Sequence, residues 1–310
     1  MGMYHNAELG DFLRSRRSRL RPEDAGLPPG VSAGTRRVPG LRREEVALLA
    51  GVSADYYTRL EQGRHPQVSE AVLDAVARAL RLDDVERGYL RDLTRATSGS
   101  RRGRATDATR APRVRAAVHQ MLDGLGDFSP ALVVNHRGDV LAANRLARAL
   151  ITDFDVLAHH ERNLTRFVLL DPAARKLYRD WEDVAQVFVA KLRLAAGSHP
   201  DDRRLNELVG EFCIRVPESG AWWDSHRVQQ CAHGEQRFAH PVVGDLTLHH
   251  ETLALPADAD QEICLYTAEP GSTHAETLRL LASWTAPTTA PTVAERTSPA
   301  DDHPAPHQHP

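Results

Sequence analysis

Residues 43–62, REEVALLAGVSADYYTRLEQ, place small, apolar and polar side chains in an order that one local structure explains. Ala47 is small where a second helix crosses the first. Gly51 ends the first helix, because a left-handed conformation there is cheap only for glycine. Val52 plugs the turn from inside, and Ser53 is placed to cap the next helix. Val46, Ala50, Tyr57 and Leu60 complete a shared core. The pattern predicts a helix-turn-helix whose second helix spans residues 54–62.

That helix leaves Asp55, Thr58, Arg59 and Gln62 at i, i+3, i+4 and i+7 on one outward face, with Ala54 beside them at the tip. An α-helix fits the major groove of B-DNA, and the first residues of a recognition helix reach base edges. Arg59 suits guanine O6/N7, and Asp55 suits a cytosine amino group. An acid in the first turn also favours the helix dipole, so Asp55 has a second reading. Arg43, Ser53, Tyr56 and Arg64 flank the face and are candidates for the phosphate backbone.

The surroundings are helical. Leu9, Phe12, Leu13 and Leu20 predict a first helix over 6–20. The Pro- and Gly-rich stretch 21–40 stops it. Helices follow over 41–50 and 54–62. Ser69 caps another, with Val72, Leu73, Val76 and Leu80 on one face. A further helix opens at Leu82/Asp83 with Val85, Tyr89, Leu90 and Leu93 inward. Residues 97–111, TSGSRRGRATDATRA, have no apolar period and read as a flexible basic linker.

A second domain is expected over 112–284. Residues 131–134 and 140–142 predict short strands around a turn at Arg137-Gly138. Residues 144–151 and 180–196 predict helices. From Arg237 the pattern alternates, as in Leu246, Leu248 and His250, and again in Ile263, Leu265 and Thr267, with a polar turn at 256–260. The Pro-, Thr- and His-rich end, 285–310, lacks the apolar residues for a core and is expected to be disordered.

Charge divides the same way. Residues 1–115 carry 22 Arg against 15 Asp and Glu, whereas residues 116–310 carry 17 Lys and Arg against 27 acids. The front half is suited to a polyanion and the back half to another task. The chain has only three cysteines, Cys213, Cys231 and Cys264, with no CxxC pair, which points away from a disulfide framework and to a reducing compartment. No signal peptide or membrane span is predicted, and a cytoplasmic, nucleoid-associated protein is expected. Nucleophile-elbow, P-loop, zinc-protease and dinucleotide-binding motifs are absent, so no enzyme is expected. The histidine pairs His159-His160 and His249-His250, with His226, His233 and His240, lack metal-ligand spacing. Neighbours on a strand face opposite ways, and no metal is expected.

The stretch LRREEVALLAGVSADYYTRLEQGR resembles the XRE-type helix-turn-helix transcriptional regulators of actinobacteria. The second domain resembles the MmyB-like ligand-binding domain through DVLAANRLARAL (139–150), LYRDWEDVA (177–185), KLRLAAGSHPDDRRLNELVGEF (191–212), WWDSHRV (222–228) and FAHPVVGDLTLHHETLALP (238–256). The resemblance implies an α + (α+β) chain. A five-helix lambda-repressor-like DNA-binding domain (1–96) is followed by a PAS-like antiparallel sheet domain with flanking helices (112–284). It implies double-stranded DNA as partner, a homodimer, and a small hydrophobic ligand such as a fatty acid rather than a cofactor. Asn144, Phe154, Phe167, Trp181, Phe188, Trp222, Trp223 and Tyr266 are the candidates for the pocket. The chain departs from its relatives at Ala143, where they often carry Trp, and over 213–220; loss of that ring is expected to reshape the pocket. A different class stays open, a protein-interaction module of antitoxin or scaffold type using the same helices without specific DNA binding.

Overall fold

The computed structural model describes residues 2–27, 40–64, 67–97, 113–126, 128–228, 233–258 and 260–285. The N-terminal unit consists of α1 (Gly2–Arg19), α2 (Arg43–Ala50), α3 (Ala54–Glu61), α4 (Glu70–Ala79) and α5 (Asp84–Thr97). Gly51 takes φ +67° and closes α2, as its place in the motif predicts. The Ser53 and Ser69 hydroxyls accept from the backbone N–H of Tyr56 and Val72 at the starts of α3 and α4. Asp83 and Glu86 exchange reciprocal bonds at the start of α5, a capping box. Phe12, Leu13, Val46, Ala47, Tyr57, Leu60, Val76, Leu90 and Leu93 pack into one apolar core.

The C-terminal unit runs α6 (Ala116–Leu125), β1 (Ala131–Asn135), β2 (Val140–Ala143), α7 (Arg145–Leu150), α8 (Leu164–Leu170), α9 (Pro172–Leu177), α10 (Trp181–Ser198), α11 (Arg203–Arg215), α12 (Ser219–Asp224), β3 (His233–His240), β4 (Gly244–Ala254), β5 (Gln261–Thr267) and α13 (Thr273–Trp284). The five strands form one open antiparallel sheet in the order β2-β1-β5-β4-β3. Strand alternation sends β1 into two cores. Leu132 and Val134 join the large cluster under α7, α8 and α10, while Ala131 and Val133 meet Val118 and Leu122 of α6 on the other face.

The two units touch through α10. Arg193, almost wholly buried, donates to Glu8 of α1 and to the Trp223 carbonyl, lies 2.9 Å from His226 Nδ1, and stacks on the Trp223 ring. Tyr89 of α5 donates to the same Glu8 at 2.9 Å. Its ring lies against Gly197, where a Cβ would fall 2.3 Å from Cε2, so only glycine admits that approach. Ser198 donates to Asp92 at 2.7 Å, and Arg16 to the His226 carbonyl at 2.8 Å. Val228, from the C-terminal unit, is buried in the N-terminal core.

The first helix begins earlier than the apolar spacing predicts, at Gly2 rather than residue 6. The alternating pattern that begins around Leu246 belongs to an eleven-residue strand, β4, which runs on through Leu253. Residues 28–39 of the Pro/Gly loop, the linker from 98 to 111, Cys231 and the end from residue 286 lie outside the described residues.

Candidate nucleic-acid interface and ligand cavity

The outer face of α3 is open. The side chains of Asp55 and Arg59 are 78% and 52% exposed, and Ala54, Gln62 and Arg64 are also exposed, with Thr58 half-buried. Asp55 and Arg59 form an i, i+4 ion pair at 3.0 Å. An exposed pair of this kind contributes ~0.3–0.5 kcal/mol, so it orients Arg59 without locking it.

The inner side is fixed by Glu61, whose carboxylate is fully enclosed. It accepts from Arg17 Nε and Nη2 at 2.9 Å each and from Arg43 Nε at 2.9 Å. Burial alone raises the pKa of Glu61, but hydrogen bonds and charge from Arg17 and Arg43 outweigh it and leave the carboxyl below its ordinary range. Glu61 thereby ties α3 to both α1 and α2. Arg43, expected on the DNA backbone, spends its guanidinium on this buried acid, although its side chain remains 43% exposed. Ser53 is likewise engaged as the cap of α3, and Tyr56 lies half-buried beside it.

The C-terminal unit holds a cavity of about 210 Å³, lined by Val134, His136, Leu164, Phe188, Leu192 and Ala195 together with Cys264 and a polar mouth. The mouth is built from three separated segments. His136 follows β1, His199 caps α10, and Asp260 sits in the turn before β5. The two imidazoles stack with centroids 3.9 Å apart and planes 16° apart. His199 Nε2 lies 3.5 Å from Asp260. His136 Nε2 lies 2.8 Å from Asp202, which also accepts from Arg137 at 2.9 Å. Burial pushes His136 below its ordinary pKa against the pull of Asp202. Burial raises Asp202, yet its bonds from His136, Leu205 and Arg137 bring it to about 2.

A family model for a helix-turn-helix domain matches residues 8–90, and one for the MmyB-like transcription regulator ligand binding domain matches residues 114–281. The chain belongs to the MmyB-like transcription regulators. Its front module is that of an XRE-type regulator, and no curated protein matches it. No described helix is long and apolar enough to cross a membrane.

Within the MmyB-like domain, Phe188 alone of the eight expected pocket residues lines the larger cavity. Asn144 is consumed as the cap of α7. Its Oδ1 accepts from Ala147 and Ala131 at 2.9 and 3.1 Å, and its Nδ2 donates to Ser129 and Leu122 carbonyls. Phe154 and Phe167 meet at 6.4 Å in the core, and Tyr266 packs on Phe238. The Trp181 indole N–H is satisfied by the Val168 carbonyl at 2.8 Å while Arg175 covers its ring. Trp223 lies under Arg193 at the junction, and Trp222 lines a separate cleft of about 50 Å³. Each of these rings finds an aromatic or cationic face or a carbonyl partner within the fold. Ala143 packs at the edge of the large core and does not line the cavity. The histidines singled out from the sequence serve elsewhere: His240 faces the Ala149 carbonyl and His250 the Gly234 carbonyl.

The cavity mouth had no sequence signal. His136, His199 and Asp260 are far apart in the chain, and although His199 falls within the 191–212 stretch, nothing there marks it as meeting the other two. The same holds for Glu8 and Arg193, which meet across 185 residues.

Proposed function

We propose that this MmyB-like regulator binds specific double-stranded DNA through α3 and that a small apolar ligand in the cavity adjusts that binding. The observation that carries the DNA reading is the exposed Asp55–Arg59 face of a helix held from behind by a buried carboxylate. Thr58, Arg59 and Gln62 then meet base edges, with Arg64 on phosphate. Two protomers would set two such helices ~34–36 Å apart on a quasi-palindromic site.

The ligand reading rests on α10. Phe188, Leu192, Leu194 and Ala195 line the cavity, while Arg193 and Gly197 of the same helix grip the N-terminal unit, and Leu194 packs against its core. At about 210 Å³ the cavity is smaller than the ~300–1,000 Å³ of most ligand pockets. It accepts a short chain or one ring as it stands, and a long acyl chain only if α10 shifts. A ligand that prefers the shifted arrangement changes DNA affinity by the difference in its own affinity for the two.

Binding of the full chain to a fluorescent duplex carrying its selected site, with and without a medium-chain fatty acid, tests both halves. A specific complex whose affinity moves with the lipid supports the reading. No sequence preference sinks the DNA half and favours the protein-interaction alternative. An affinity that ignores every apolar ligand tried sinks the regulatory half.

A further inference from the structure

Three side chains able to ligate a metal, His136, His199 and Asp260, meet on one side of the cavity. Asp202 accepts from Arg137 and from the Leu205 N–H at 3.1 Å, so it faces His136 Nε2 as an acceptor and places the imidazole proton there. His136 Nδ1 then carries the lone pair, and that atom is buried with no hydrogen-bond partner. His199 Nδ1 lies 3.3 Å from the Ala195 carbonyl, and its Nε2 lies 3.5 Å from the Asp260 carboxylate. Ligand atoms of His136, His199 and Asp260 all lie within 4.8 Å of one another. A cation among them would give the unpartnered His136 Nδ1 and the Asp260 carboxylate a common partner.

We infer that His136, His199 and Asp260 form a binding site for a divalent transition-metal ion of the zinc class at the mouth of the cavity. Two imidazoles and one carboxylate are a zinc-type donor set, and they leave a coordination position open. All three residues line the cavity, so that position falls to water or to a donor atom of the cavity's occupant. His136 already has an oxygen partner on its far nitrogen, Asp202, the arrangement that orients metal-bound histidines. The stacked rings send their lone pairs side by side rather than to one point. Binding therefore requires His199 to turn about its Cβ–Cγ bond, which its place at the end of α10, 30% exposed, permits.

The test is a Zn²⁺ titration of the metal-free full chain against a chromogenic competitor, with Co²⁺ absorption as a second readout. His303, His307 and His309 of the tail offer a competing sink, so the chain carries H303Q, H307Q and H309Q throughout. One equivalent of Zn²⁺, with a four-coordinate Co²⁺ spectrum, is expected. His136→Gln, His199→Gln and Asp260→Asn each lose the equivalent, and Asp202→Asn weakens it ~10–100-fold. Circular dichroism of the metal-free variants checks that each is folded. The assignment is overturned if the parent chain takes up no stoichiometric Zn²⁺, or if a folded His136→Gln or Asp260→Asn variant binds as the parent does. Zinc uptake is read without DNA or lipid, so its failure leaves the regulatory reading untouched.

Discussion

Replacing Glu8 with Gln should loosen the joint between the two units by on the order of 3 kcal/mol. Gln keeps the shape and an acceptor oxygen for Arg193 and Tyr89, so the charge alone is removed. Burial raises the pKa of Glu8, but the hydrogen bond from His226, the charge of Arg193 and the hydrogen bond from Tyr89 bring it down to about 2 from an ordinary 4.5. At about 1.4 kcal/mol per pKa unit, that shift corresponds to about 3 kcal/mol of preference for the charged form in the folded chain. Loss of one partner from a buried ion pair gives a similar figure, ~3–5 kcal/mol, because the other charge stays enclosed. The Arg193 side chain is 1% exposed. The expected fall in Tm is roughly 6–20 °C for a unit of this size, measured by scanning calorimetry at neutral pH. The sign with pH follows from the lowered pKa. The Glu8 contribution is complete above about pH 4.5 and fades as the pH falls towards 2, so the parent loses this share over that range in addition to the loss that both chains suffer through Glu61 and Asp202. A Tm within about a degree of the parent, or an unchanged acid profile, would refute a joint held by this charge pair.

Glu61→Gln removes the carboxylate shared by Arg17 and Arg43 and should cost ~3–5 kcal/mol, read by denaturant unfolding, with DNA affinity falling because α3 loses its anchor. Arg59→Ala should relax base choice at one position per half-site and cost ~1–3 kcal/mol there, measured on a panel of single-base variants. Gly197→Ala drives a methyl into the Tyr89 ring, and faster proteolysis between the units should follow while each module keeps its secondary structure.

Much of the front unit was legible because its constraints are local. Gly51, Ser53 and Ala47 act within a few residues of where they stand, so spacing alone predicts the turn and both helices. Arg43 shows the limit. Its position before the motif suits a phosphate, but a buried acid eighteen residues on claims it. Glu61 sits at the end of a charged, polar helix, and nothing in the local pattern marks its carboxylate as enclosed. The sheet was visible by alternation, whereas α8, α9, α11, α12 and α13 were not assigned from periodicity. Of the aromatics expected at a pocket, Phe188 lines the larger cavity and Trp222 a small cleft, while Phe154, Phe167, Trp181 and Tyr266 sit in the core, since composition gives a stock of rings but not their neighbours. The cavity mouth and the α10 joint depend on residues brought together by the whole fold, where no spacing rule reaches.

Selection of bound duplexes from a random DNA library by the full chain tests the central claim most directly. The account predicts a quasi-palindromic site with half-sites ~10 base pairs apart, and an Arg59→Ala chain that keeps every preference but one in each half. An unenriched pool, or the same site chosen by a chain altered at Thr58, Arg59 and Gln62 together, would contradict it.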